Sequence, residues 1–396
     1  MQRTPSSLLY CAGLLYCAGL VLVGFASGAR AAVINNLGTL GGSYSRGFGI
    51  NAAGQVTGGS AAAGSTSNRG FLYTPAPGGG GSMQDLGTLG GPITFAFAIN
   101  VSGQVAGSSL FSPTSGSQRA FLYTGIPGAG GTMQDLGTLG GTSSRATAVN
   151  DLGQAAGNSG TAVGSTVAHA FRTAPNAAIN PATDDLGTLG GATSRGFGIN
   201  AAGQVVGDSQ ITGSTVFHAF LFTPGPPEQR TGMVDLGTLG GTTSAANAIN
   251  DAGQIAGSSR FDASTATHAF LYTGTPGAGG TMHDLGTLGG TSSAGFAISG
   301  LGHVVGASDT TGDAASHAFL YTGTPGADGE MIDLDAWLDA NHPADGANWT
   351  LTDASGLSDG LRAYILDASP LIPEPSTGGA LLALSALPLL RRPRRK

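Results

Sequence analysis

Charge is scarce in this sequence, and basic charge most of all. Only 10% of the 396 residues are charged. Residues 32–372 hold nine arginines and no lysine against 22 acidic residues, a formal charge of −13. Binding to nucleic acid or to an anionic membrane surface needs a basic footprint, so we expect no nucleic-acid partner. The hydrophobic content of 40% is too high for a chain kept disordered by its charge.

Cysteine is scarce as well. Cys11 and Cys17 are the only two, and both precede residue 32. The remaining chain therefore has no disulfide and no cysteine-based metal site, and its stability must come from packing and backbone hydrogen bonds. No apolar period of 3.6 residues continues for a useful length, which excludes a helical solenoid. Glycine is abundant, with 70 residues and no G-X-Y period, which excludes collagen and favours short strands joined by tight turns.

Residues 1–31 have the order of a secretory signal peptide. Arg3 is followed by a long apolar stretch and by the small-residue cleavage pattern Ala29-x-Ala31. A membrane span is the alternative. The signal-peptide interpretation predicts that signal peptidase acts on the chain and that the protein is exported.

Residues 371–396 contain a second targeting pattern. Pro373-Glu374-Pro375 precedes an apolar stretch, Gly378–Leu390, and a basic tail. Thirteen residues are short for a full span, which needs ~20. The three elements in this order resemble the PEP-CTERM sorting signal of Gram-negative bacteria. The resemblance implies transient membrane association, processing by an exosortase-type enzyme, and a final location at the cell surface, in the outer envelope or in the extracellular matrix. An ordinary tail anchor is the alternative.

Between the two signals the sequence repeats every 49 or 50 residues. The heptapeptide DLGTLGG marks the period, and its variant NLGTLGG begins at Asn36; the DLGTLGG copies begin at Asp85, Asp135, Asp185, Asp235 and Asp284. Each unit contains four strand-like segments, and an Asn-x-x-Gly turn joins the first two. Four antiparallel strands in ~50 residues are typical of a β-propeller blade, so we predict an all-β propeller domain over residues 32–370. A β-helix is the alternative.

The number of blades follows from incomplete units at the two ends. Six complete units leave an isolated fourth strand at Val33–Leu40 and a degenerate unit at residues 352–367, in which Arg362–Asp367 matches a third strand. We predict that these pieces pair to close the ring, because pairing would hide the sheet edges. The prediction is a seven-bladed propeller whose last blade lacks a clear second strand. A six-bladed ring with an added cap is the alternative.

The third segment of most units begins with His-Ala-Phe. The triplet occurs at His169–Phe171, His218–Phe220, His268–Phe270 and His317–Phe319. These repeats resemble the HAF family of bacterial extracellular repeat proteins, over about residues 33–367. The resemblance implies an exported repeat protein, often with a PEP-CTERM signal, and no established activity.

The repeated polar residues could indicate metal or phosphate sites, but the sequence disfavours both. The heptapeptide lacks the Gly-Lys-Ser/Thr of a phosphate-binding loop. The repeated aspartates, Asp85 to Asp284, are interpreted as turn caps, with calcium sites as the alternative. His169, His218, His268 and His317 lie one per blade, too far apart to share a zinc ion, and are interpreted as structural. We expect no cofactor.

No catalytic constellation is visible in the sequence. Catalysis needs a singular group of residues, whereas a repeat supplies symmetric ones, and no nucleophile or zinc motif appears. Trp337 and Trp349 are interpreted as packing residues, with sugar stacking as the alternative. The leading hypothesis is a non-catalytic, exported propeller that binds or scaffolds an extracellular protein or polysaccharide. The alternatives are a propeller enzyme, a polysaccharide lyase or hydrolase, and a purely structural surface component.

Overall fold

The computed structural model describes residues 37–358 apart from 77–79, 115, 226–231, 263–264 and 348. It also describes the backbone of three further strands, at residues 12–16, 19–23 and 363–370. No helix within this part of the chain is both long and apolar enough to cross a membrane.

Nearly all the regular structure is β-strand. Two N-terminal strands, β1 (Ala12–Tyr16) and β2 (Gly19–Val23), precede the repeats. Blades 1 to 3 contain β3 (Gly41–Ile50), β4 (Val56–Ala62), β5 (Asn68–Pro75) and β6 (Gly81–Asp85); β7 (Thr94–Ile99), β8 (Val105–Leu110), β9 (Gln118–Thr124) and β10 (Thr132–Gly137); and β11 (Ser144–Val149), β12 (Ala155–Gly160) and β13 (Ala168–Arg172). Blades 4 to 6 contain β14 (Gly190–Ile199), β15 (Val205–Ile211), β16 (Phe217–Phe222) and β17 (Met233–Asp235); β18 (Gly240–Ile249), β19 (Ile255–Phe261), β20 (Thr267–Thr273) and β21 (Thr281–Asp284); and β22 (Gly289–Ile298), β23 (Val304–Thr310), β24 (Ser316–Thr322) and β25 (Glu330–Asp333).

Each repeat folds into one antiparallel sheet with its strands in chain order. In blade 1 the order is β3-β4-β5-β6, and blades 2, 4, 5 and 6 repeat it. Blade 3 has three regular strands, and a single bridge between Phe171 and Asp185 stands in for the fourth. The predictions of an all-β propeller and of six complete four-stranded units are confirmed.

The core of each blade centres on the third strand. Its phenylalanine is fully buried in all six repeats, at Phe71, Phe121, Phe171, Phe220, Phe270 and Phe319. A glycine of the second strand makes room for this ring and for the first strand. At Gly157, for example, a Cβ atom would collide with the carbonyl oxygen of Arg145. Burial of the phenylalanine stabilises the folded blade by about 1.5–3 kcal/mol, and this burial requires a neighbouring residue without a side chain.

The heptapeptide forms the connection from one blade to the next. In the second copy, Asp85 accepts a hydrogen bond from the Gly87 amide (2.8 Å), and Gly87 has a φ of +86° that favours glycine. The Leu89 amide then donates to Ser109 Oγ of the next blade (3.0 Å). The first copy behaves alike, since the Leu40 amide donates to Ser60 Oγ (3.0 Å). The motif is therefore a polar turn that attaches each blade to its successor.

The Asn-x-x-Gly turns also join the blades. Each asparagine accepts hydrogen bonds from backbone amides of its own turn, as the sequence predicts, and its Nδ2 donates to the matching turn of the next blade. These inter-blade bonds measure 2.8–3.2 Å and run Asn51 to Asn100, Asn100 to Asn150, Asn150 to Asn200, Asn200 to Asn250 and Asn250 to Ser299. The last of these bonds reaches the Ser299 carbonyl of blade 6.

The segment after blade 6 departs from the repeat. Asp333 accepts from the amides of Asp335 and Ala336 and so caps a helix, α1 (Leu334–Asn341), where other repeats have a connecting turn. A short helix, α2 (Pro343–Gly346), and two strands, β26 (Trp349–Ser358) and β27 (Ala363–Pro370), follow. β26 contacts blade 6 on one side and β3 of blade 1 on the other.

The structure supports six repeat blades and does not support the seventh in the form expected. The last sheet has the order β1-β2-β27-β26, so the segment expected as a third strand, Arg362–Asp367, lies within or next to β27, in the second position. β2 and β1 hold the outer positions. Residues 33–36 of the expected closing strand lie outside the described residues. Leu37 packs with Phe71 of blade 1, and Leu40 bridges to Ala62, because this copy is a connecting turn like the others.

Candidate binding site at the inner strands

The histidines predicted from the repeat lie on the third strands of blades 3 to 6. Each contacts through Nδ1, at 2.8–2.9 Å, the aspartate that follows 16 or 17 residues later; the pairs are His169–Asp185, His218–Asp235, His268–Asp284 and His317–Asp333. Blade 1 has Arg69 with Asp85 instead, Nε to Oδ2 at 3.0 Å. The hydrogen bond that His169 makes to the Asp185 carboxylate is the main cause that raises the pKa of His169. These side chains are therefore occupied in joining the third strand to the connecting turn.

The repeated aspartates perform two tasks at once. One carboxylate oxygen accepts from the glycine amide two residues later, at 2.7–2.8 Å; the aspartates are Asp85, Asp135, Asp185, Asp235 and Asp284. Four of these carboxylates, those of Asp85, Asp185, Asp235 and Asp284, also contact the arginine or histidine named above. Calcium needs six or more oxygens around one point. Within the described residues no three His, Asp or Glu side chains come together as metal ligands.

Four groups of predicted residues lie elsewhere. The cleavage residues Ala29 and Ala31 and the sorting motif Pro373–Pro375 fall outside the described residues. Trp337 lies on α1, with its ring 5.4 Å from that of His342. Trp349 is the first residue of β26 and is half-buried. Trp337 thus lies within the helical insertion that follows blade 6, and Trp349 lies just after it.

The inner strands bring together residues that the sequence did not single out. β3, β7, β11, β14, β18, β22 and β26 contact one another in this cyclic order. Each has a bulge that leaves one residue without a cross-strand partner. These bulged residues are Phe48, Phe97, Thr147, Phe197, Asn247, Phe296 and Ser355. An inner strand has no hydrogen-bonded neighbour on its inner side, so the bulged residues lie along the inner edges of the blades.

Several bulged residues reach the inner strand of the next blade. Thr147 Oγ1 donates to the Gly196 carbonyl (2.7 Å), and Asn247 Nδ2 donates to the Gly295 carbonyl (2.8 Å). The Phe48 ring lies 5.6 Å from that of Phe97. In each of these three blades, the bulged side chain contacts the inner strand of the next blade.

One arginine stands out among the residues at the inner strands. The Arg145 guanidinium lies 4.6 Å from the centroid of the Phe97 ring. Phe97 is stacked on Phe95 at 5.9 Å. We call Arg145, Phe97, Phe95 and Phe48 the rim cluster. It places the guanidinium of blade 3 beside two rings of blade 2 and one ring of blade 1.

Two other arginines hold the matching position, and each has an acidic partner. Arg195 Nε donates to Asp208 Oδ1 (2.8 Å), and a second contact makes the pair bidentate. Arg46 contacts Asp353 of β26 at 3.4 Å. Among the described residues, no carboxylate pairs with Arg145. Arg145 therefore differs from its two equivalents in having donor groups that no acidic side chain occupies.

The surroundings of Arg145 combine solvent access with desolvation. Its side chain is exposed to solvent, yet burial by neighbouring protein atoms lowers the pKa of its guanidinium. Sequence reasoning missed the cluster because it singled out the residues that recur in the repeats, the heptapeptide aspartates and the histidines. The sequence does contain a sign of the cluster, because the position of Arg145 differs among the six blades. Its residues are Arg46, Phe95, Arg145, Arg195, Ala245 and Ala294.

Comparison with known proteins adds no family assignment. No protein-family model matches the chain, and the search of curated proteins gave no match.

Proposed function

We propose that the protein is an exported, non-catalytic β-propeller that binds or scaffolds an extracellular ligand and is sorted through its C-terminal signal. The observation that carries the proposal is the rim cluster. A solvent-accessible arginine beside aromatic rings supplies charge and apolar surface, which is what recognition of a ligand needs.

Binding fits these residues better than catalysis does. A general acid or base must have an exchangeable proton within the working pH range, and arginine is protonated throughout it. Asp208 and Asp353 are the carboxylates that pair with the two equivalent arginines. Asp208 contacts Arg195 through both of its oxygens, whereas Asp353 contacts Arg46 through Oδ2. Burial raises the pKa of Asp208, while its hydrogen bond and charge interaction with Arg195 oppose this change. The rim cluster itself thus supplies a cation and aromatic rings, with no carboxylate among its members.

A binding assay tests the proposal directly. The exported protein is probed against a glycan array and against the secreted proteins of its host. We expect retention of at least one ligand and no change in its covalent structure. Chemical turnover of a bound polysaccharide by the purified protein would instead support a lyase or hydrolase. Absence of binding on both arrays would support the purely structural hypothesis.

Sorting is tested separately. Its support is the order of Pro373-Glu374-Pro375, an apolar stretch and a basic tail. Deletion of residues 373–396 should leave the protein in a different compartment in a host that has the sorting enzyme. A control deletion of the basic tail alone should retain Pro373–Pro375 and separate motif recognition from membrane retention. Unchanged localisation of both variants would contradict the proposal.

The proposal extends to the closure of the ring by a seventh blade. Leu37 packs against blade 1 as Leu86 packs against blade 2. In the other repeats, the residues before this leucine form the outer strand of the preceding blade. Removal of residues 1–31 would take away β1 and β2, so residues 33–36 could then pair at the outer edge of the last sheet.

A substitution in the exported form tests this closure. Ile34→Asp would place a charge in the closing strand and should lower the midpoint of urea unfolding. Val163→Asp is the control because Val163 lies on the surface, 78% exposed. Equal midpoints for the two variants would exclude residues 33–36 as a packed strand.

A further inference from the structure

The rim cluster has the composition of a site for a particular kind of anion. Arg145 offers the planar, five-donor guanidinium that matches a carboxylate in two parallel hydrogen bonds. The centroid of the Phe97 ring lies 4.6 Å from the guanidinium, and the rings of Phe95 and Phe48 both contact that of Phe97. A ligand that satisfies both features needs a carboxylate and a flat apolar face close together.

We propose that the rim cluster binds a carboxylate-bearing saccharide, such as the uronic acid at the end of an acidic polysaccharide chain. The carboxylate pairs with Arg145, and the C–H face of the sugar ring lies against Phe97 or Phe48. This assignment names the ligand class of the proposed binding function and rests on it.

The negative charge of residues 32–372 narrows the class of anionic ligand further. Residues 32–372 carry a formal charge of −13, which opposes a dense polyanion such as nucleic acid or a polyphosphate. A saccharide end that inserts one or two carboxylates at a local cation meets less repulsion. Comparison with the two equivalent arginines indicates which one binds the ligand. Arg195 pairs with Asp208, and Arg46 contacts Asp353. Arg145 has no carboxylate partner among the described residues.

Isothermal titration calorimetry with trigalacturonate tests the assignment. Its fully methyl-esterified form is the matched probe, since it keeps the ring faces and removes the charges. We expect the acid to bind the exported protein at least 10-fold more tightly than the ester, because charge-assisted hydrogen bonds supply about 1.5–3 kcal/mol, or roughly 10- to 150-fold. Equal affinity of acid and ester would overturn the assignment.

Variants then locate the site. Arg145→Gln should lower affinity for the acid at least 10-fold and leave the ester unaffected, whereas Arg260→Gln, on β19 of blade 5, should change neither. Arg145→Lys should recover part of the loss because it restores charge without the planar fork. Phe97→Leu should weaken acid and ester alike, since both stack. Circular dichroism and the urea midpoint of each variant show whether the fold is intact.

The outcomes separate this assignment from the proposed function. Binding of a neutral glycan or a protein that is unaffected by Arg145→Gln would overturn the assignment and keep the binding function. Equal binding of a short oligoglutamate, lost in Arg145→Gln, would keep the site and overturn the saccharide class. Absence of measurable trigalacturonate binding would overturn the assignment.

Discussion

The asparagine of each turn should be the most costly polar side chain to remove. Asn150 is 5% exposed and makes four hydrogen bonds. Its Nδ2 donates to the Asn200 carbonyl of the next blade (3.0 Å) and to Gln154 Oε1 (2.9 Å). Its Oδ1 accepts from the amides of Leu152 (3.2 Å) and Gln154 (3.0 Å). The first bond joins two blades, and the last two close the turn.

Two substitutions separate the two roles. Asn150→Ser should keep the turn, because Ser299 shows that a serine oxygen accepts from the equivalent amides, of Leu301 and His303, at 3.2 Å each. It removes the donor to the buried Asn200 carbonyl, and a buried unpaired group costs about 1–3 kcal/mol. Asn150→Ala removes the turn acceptor as well. Leu152 is exposed and its amide can reach water, so we expect about 2–5 kcal/mol in total.

Urea unfolding followed by far-ultraviolet circular dichroism measures both losses. Asn341→Ala is the control, since Asn341 is exposed and donates only to the Trp337 carbonyl (2.9 Å); it should cost less than about 1 kcal/mol. The reasoning is refuted if Asn150→Ser unfolds at the wild-type midpoint, or if serine and alanine cost the same. The first result would mean that water replaces the inter-blade bond, and the second that the turn contributes nothing.

Two further predictions follow from the connections within blades. Gly157→Ala should destabilise the fold by about 1–3 kcal/mol in urea unfolding, because its Cβ would strike the Arg145 carbonyl, whereas Gly116→Ala meets no atom within 4 Å and should be neutral. The His169–Asp185 pair should contribute stability below pH ~6.5 that is lost as the pH rises through the raised pKa of His169. His169→Asn should therefore reduce the fall in thermal midpoint between pH 6 and pH 8, and an unchanged pH profile would contradict this assignment.

The strands and turns were predictable because their signals are local and repeated six times. The phenylalanine of each third strand and the Asn-x-x-Gly hairpins lie where the sequence places them. The helix α1 was missed although its signals are also local: Asp333 is an N-cap residue, Asp335 lies in the first turn, and Pro343 follows the end. The Asp-Leu pair at 333–334 continues the 49-residue spacing of the heptapeptides, and this match with the period concealed the start of a helix.

Contacts between blades were harder to predict for a different reason. The partner of Asn150 is a backbone carbonyl 50 residues away, and no side-chain type marks it. The last sheet shows the same limit. Arg362–Asp367 resembles a third strand in sequence, but its neighbour is set by which edge remains open after the other strands have paired. Edge pairing depends on the whole ring, so β27 occupies the second position although its residues match the third.

The repeat also explains why the candidate site was hidden. Identical units fix the backbone, so each inner strand presents a side chain at the same place whether or not that residue is needed for folding. Positions essential to the blade, such as the fully buried phenylalanines, cannot vary. The inner position occupied by Arg145 varies among arginine, phenylalanine and alanine, which means that packing does not dictate it. Selection for a ligand can act there without cost to the fold, and the symmetric scaffold then carries an asymmetric site. A functional residue in such a protein should be sought where the backbone repeats and the side chain does not.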